Sequence, residues 1–100
     1  MQITNVRIIL IKDQKSVLKG IASVIFDDVF LVRDIRIIEN EKGMFISMPS
    51  KKTAKGIIKN IAHPLNAETR KMMEIEIYKA YDLKKQDLEN ENQEKTELNE

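Results

Sequence analysis

Apolar and polar positions alternate through the first half of the chain, and the period then changes. In Ile3–Lys12, Val6, Ile8 and Leu10 alternate with Arg7, Ile9 and Ile11, so a strand buried on much of both faces is predicted. Asp13–Ser16 is a turn-rich break. Val17–Phe26 reads as a second strand, with Ala22, Val24 and Phe26 on one face, and Gly20 marks a candidate bulge. Asp27-Asp28 separates two apolar runs by the spacing of a tight hairpin, without the favoured Asn-Gly or Asp-Gly pair. Val29–Ile38 is the third strand, in which strict alternation sends Arg33 and Arg36 to opposite faces. After the turn Glu39–Gly43 comes a short fourth strand, Met44–Met48, stopped by Pro49. Hairpin connections in series predict an antiparallel meander of about four to five strands.

Beyond residue 60 the spacing is helical. Asn66 suits an N-cap and Glu68 the positive end of a helix dipole. From Ala67 to about Lys85, Met72, Met73, Ile77, Ala80 and Tyr81 recur on one side, with Ile75 and Tyr78 broadening the stripe. One amphipathic helix of about five turns is expected. From residue 86 two leucines are the only apolar residues, too few to repay ordering entropy, so residues 86–100 are expected as a disordered acidic tail. The expected architecture is therefore α+β: an antiparallel sheet and a C-terminal helix in one domain over residues 1–85.

Composition sharpens this picture. One hundred residues, 42% hydrophobic with fifteen isoleucines, can close a core. No 18-residue apolar run is present, so no membrane insertion is expected. The N-terminus has no secretion-signal pattern and cysteine is absent, which fits the cytoplasm. A net charge of +1 conceals an asymmetry. Residues 1–81 carry 14 Lys/Arg against 9 Asp/Glu, whereas residues 82–100 carry 3 against 7. A basic body points to a polyanionic partner.

The charge concentrates in "MPSKKTAKGIIK" (48–59), where Lys51, Lys52, Lys55 and Lys59 have no acidic neighbour. Ammonium groups neutralise phosphates and release counterions, the main source of non-specific nucleic-acid affinity. Arg70 and Lys71, in the first helical turn, are expected to join the cluster beside the helix N-terminal amides. The six cations are one candidate surface; the alternative is a solvated loop that guards a sheet edge. The five aromatics, Phe26, Phe30, Phe45, Tyr78 and Tyr81, fit core packing, and only Phe45 is near the lysines. A base-stacking platform thus lacks its parts, which favours phosphate contact with double-stranded DNA. One histidine, His63, without cysteine argues against a metal site, and His63-Pro64 reads as a structural turn. Ser47 or Ser50 with His63 and Asp34 are common residue types with nothing to fix their geometry, so neither catalysis nor a cofactor is expected.

"DIRII" (Asp34–Ile38), Gly43 with "FISMPSKKT" (Phe45–Thr53), "IAHPLN" (Ile61–Asn66) and "TR" (Thr69–Arg70) together resemble the stage V sporulation protein G family, from about Ile3 to Tyr81. Two places depart from its pattern. Ile57-Ile58 follow Gly56 where the family often shows an acidic residue and an aromatic, and Asn60 stands where an aspartate is common. The resemblance implies a small bacterial cytoplasmic protein, nucleoid-associated, that assembles as a homodimer. It further implies a DNA-binding regulator with site preference that also binds RNA, linked to sporulation and septum placement. The alternative reading is an adaptor that contacts division or regulatory proteins.

Overall fold

The computed structural model describes the backbone of residues 1–98 and the side chains of residues 1–88. Four strands form one antiparallel meander in chain order: β1 (Ile3–Leu10), β2 (Leu18–Phe26), β3 (Phe30–Asn40) and β4 (Gly43–Ser47). A second sheet of two short strands follows, β5 (Ser50–Lys52) and β6 (Ile58–Asn60), and the helix α1 (Ala67–Leu98) closes the order.

The β2–β3 connection works without glycine. Asp27 and Asp28 take φ of 51° and 59°, the left-handed pair that a two-residue hairpin with the right twist requires. Aspartate tolerates this conformation better than most side chains. The start of the chain holds the turn in place. The Asp27 N–H donates to the Gln2 carbonyl (2.8 Å), the Gln2 N–H to Asp27 Oδ1 (3.0 Å) and the Asp28 N–H to Thr4 Oγ1 (2.9 Å).

One face of the meander is buried under α1. Ile8, Ala22, Val24, Phe26, Ile35, Ile37 and Ile46 meet Met73, Ile77 and Tyr81 in a single core. The helix starts where expected: Asn66 Oδ1 accepts the Thr69 N–H at 2.7 Å, an N-cap bond to the third helical residue. Its backbone continues to Leu98, past the expected end near Lys85, because residues 82–98 hold neither Gly nor Pro to stop it. Burial ends sooner, at Tyr81, and residues 82–88 are all exposed. The expected acidic tail thus has a helical backbone as far as Leu98; its side chains from residue 89, and residues 99–100 altogether, lie outside the described residues.

Among the described residues nothing covers the opposite face of the meander, which corrects the expectation for the first strand. Ile8 is buried, but its neighbour Ile9 is 66% exposed. Leu31 and Phe45 are exposed on the same side, and Ile21, Ile25 and Ile38 are half-buried there. Phe45 and Phe30 are thus surface aromatics, whereas Phe26 and Tyr81 are core. In β3 the alternation breaks. Val32 pairs with Val24 and Ile35 with Ala22, so Arg33 and Asp34 together oppose Ser23 in a bulge. Asp34 takes φ 63° to make it. The extra residue shifts the register, and Arg33 and Arg36 both belong to the uncovered face instead of opposite ones.

Candidate nucleic-acid interface

The lysine segment is a hairpin, not a loop. Thr53 organises its turn: its N–H donates to the Ile57 carbonyl (2.7 Å), its carbonyl accepts the Gly56 N–H (2.9 Å) and its Oγ1 accepts the Ile57 N–H (3.2 Å). Gly56, at φ 84°, supplies the left-handed position that closes the turn. At the base, the Ile61 N–H donates to the Pro49 carbonyl (2.7 Å) and adds a rung beyond the strands.

Register decides which lysines act together. Lys51 lies directly opposite Lys59, so these two share one face of the hairpin. Lys52 pairs with Ile58 and therefore faces the other side, and Lys55 sits in the turn. All four are exposed, and none makes an ion pair among the described residues. No acid occurs between Lys42 and Ala67 to offset them. Like charges in direct cross-strand register cost stability, and an anion across the pair removes that cost. Ile57, Ile58, Ile61 and Leu65 are also exposed on and beside this arm, Leu65 at 90%.

Arg70 and Lys71 part ways in the first turn of α1. The Arg70 guanidinium donates through Nη2 to the Ile46 carbonyl (2.8 Å) and through Nε to Glu74 (3.1 Å). It ties the helix to β4, and its fork is already occupied. Lys71 is exposed and has no such partner among the described residues. A second tie lies two turns on, where the Tyr78 hydroxyl donates to the Met44 carbonyl (3.2 Å). Burial pushes the Tyr78 phenol above its ordinary pKa, Glu74 adds to the rise and Arg70 opposes it. His63 contacts the Pro64 carbonyl through Nδ1 at 3.0 Å, the turn role expected of it.

Sequence reasoning allows one of Arg33 and Arg36 to point at solvent and extend the cationic surface, or to pair with Asp34 or a cross-strand acid, but it misses the group both form with Arg7 on the uncovered sheet face. Arg7 pairs with Ser23, which the bulge residues Arg33 and Asp34 also oppose, and Arg36 pairs with Ile21 one step along. All three arginines are exposed and without an ion pair among the described residues. The available signal was an aspartate inside a strand pattern, since a residue that tolerates left-handed backbone marks a candidate bulge. No helix among the described residues is long and apolar enough to cross a membrane.

Comparison with known proteins adds a family. The family model described as SpoVG matches residues 1–83. A protein of Phytoplasma australiense that carries the name septation protein SpoVG is 54% identical over 81 residues, 81% of this chain and 83% of the relative. Its namesake in Clostridium beijerinckii is 50% identical over 82 residues, 82% of this chain and 89% of the relative. The namesake in Acholeplasma laidlawii is 48% identical over 81 residues, 81% and 85% of the two chains.

Proposed function

The chain belongs to the SpoVG family, and from that premise we propose that it is a nucleic-acid-binding regulator that grips double-stranded DNA as a homodimer through the β5–β6 hairpin. One observation carries the reading: Lys51 and Lys59 are held opposite each other on an exposed hairpin, in a stretch of sequence without an acid and with no ion pair among the described residues. Such a pair is unfavourable until phosphates occupy it. Lys55 at the tip, Lys52 on the reverse face and Lys71 at the helix start extend the positive surface. Arg70 contributes by holding α1 on β4. The exposed Ile57, Ile58, Ile61 and Leu65 support the homodimer, since a short arm of this kind gains stability by packing on a second body. The reading includes RNA as a further ligand, places the protein in the cytoplasm at the nucleoid, and assigns it no catalysis.

The test is a salt titration of binding to a labelled DNA duplex, with Lys51→Ala/Lys59→Ala beside the wild type. Each neutralised phosphate adds about 0.9 to the log–log salt slope, so the double variant should lose about 1.8. Its folded stability should not fall, because the change removes a repulsion. An unchanged slope removes the hairpin from the interface, and sedimentation as a monomer at tens of micromolar removes the homodimer. One second reading rests on the same apolar arm: an adaptor that contacts division proteins, in line with the septation name its relatives carry. Weak duplex binding, indifferent to both lysines, would favour it.

A further inference from the structure

We propose that the uncovered face of the meander is a second binding surface, and that its occupant is single-stranded nucleic acid. The inference goes beyond the hairpin reading and uses none of its residues. The face carries Arg7 on β1 and Arg33 and Arg36 on β3, all exposed and unpaired among the described residues. Two strand spacings, about 10 Å, separate Arg7 from the β3 arginines. Among the described residues, Asp34 is the only acid that the strands place on this face, because Glu39 lies on the side of the buried Ile37. The bulge is what unites the arginines: without the left-handed Asp34, Arg33 would belong to the covered face. Between and beside them lie Ile9, Leu31 and Phe45, all exposed.

The mixture identifies the ligand. The arginine charge selects an anionic partner. It also disfavours the exposed apolar β5–β6 arm of a second copy, because that hairpin is itself cationic. A duplex presents phosphates outward and keeps its bases stacked inside, so on this face it would satisfy the arginines and leave the apolar side chains wet. A single strand presents phosphates and the flat faces of unstacked bases to the same surface. Arginine serves both, since its planar guanidinium accepts phosphate as a fork and stacks on a base. Phe45, paired with Ile38 on the outer strand, offers one aromatic face. Each contact tolerates any base, so binding is expected to be weakly sequence-dependent.

The test compares one labelled mixed-sequence DNA oligonucleotide, alone and annealed to its complement, by fluorescence anisotropy at several salt concentrations. Arg33→Ala/Arg36→Ala should lower the single-strand salt slope by about 1.4, at about 0.7 per phosphate, and leave duplex binding at the wild-type level. Phe45→Ala should weaken single-strand binding between about fivefold and 150-fold, the range for loss of one stacked base. Arg36→Lys keeps the charge and should retain the slope while losing affinity. The substituted side chains are exposed, and a melting curve for each variant separates lost binding from lost fold. Four results would overturn the proposal. These are wild-type single-strand binding in the arginine variant, equal losses on single strand and duplex, loss of single-strand binding in Lys51→Ala/Lys59→Ala, and equal displacement of the oligonucleotide by poly-glutamate at matched charge. Failure of the hairpin reading is distinct, since it shows on the duplex in the lysine variant alone.

Discussion

Arg70 decides between two uses of one side chain, and the structure sets the scale of the answer. Its Nη2 donates to the Ile46 carbonyl at 2.8 Å on β4, and its Nε pairs with Glu74 at 3.1 Å. A hydrogen bond from a charged donor is worth about 1.5–3 kcal/mol. The Arg70 side chain is 41% exposed and that of Glu74 31%, so the ion pair adds little and screening trims the rest. Arg70→Ala should therefore cost about 1–2 kcal/mol, removing the bond that fixes the start of α1 to the outer strand. For a domain of this size that lowers Tm by roughly 4–16 °C. Arg70→Lys keeps the charge but loses the fork, and should recover at most about half of the loss. The assay is thermal unfolding followed by circular dichroism, paired with the duplex salt titration. If Arg70 is structural, Tm falls and the salt slope measured well below Tm is unchanged. An unaltered Tm with a slope lowered by about 0.9 would refute the argument and return Arg70 to the phosphates.

Asp34→Val should destabilise the protein by about 1–2 kcal/mol, although valine is the better strand former, because a β-branched residue cannot adopt φ 63° without strain. A stabilised variant in urea unfolding would mean that the bulge is not held in solution. Ile77→Ala, at a fully buried position, should cost about 2–5 kcal/mol, whereas Ile75→Ala, half exposed two residues away, should stay within about 0.5 kcal/mol. Equal losses at the two positions, by the same measurement, would place the helix on the sheet with a different face.

Most of the meander was legible because its signals are local. The spacing of apolar runs around Asp27-Asp28 indicates a hairpin even without glycine, and Asn66 with its downstream stripe indicates a capped helix. Two features were hidden for physical reasons. The β5–β6 hairpin has strands of three residues, all exposed, so it carries no hydrophobic alternation; Pro49 ends β4 as expected but also leads straight into β5, which no local pattern signals. The bulge at Asp34 depends on pairing with Ser23 across the sheet, a long-range fact that no window of β3 contains. The candidate site suffered from the same gap. Composition found all four hairpin lysines, but only register sorts them into an opposed pair, a reverse-face residue and a tip. The fate of Arg70 is set by Ile46, 24 positions away. The three arginines of the sheet face went unread as a group because strict alternation separates two of them.

The chain order of the fold has a consequence for synthesis. The meander consists of sequential hairpins and can close as it leaves the ribosome, yet Met73, Ile77 and Tyr81, the helical part of its core, come after every strand. At about 5–20 residues per second, the stretch from Ser47 to Tyr81 takes roughly 2–7 s to make. A nascent chain therefore carries a sheet that is open on both sides, apolar on each, for seconds. The interval ends only when the last element covers one of them. That is time enough for a neighbouring nascent copy on the same message to meet it before its own helix does.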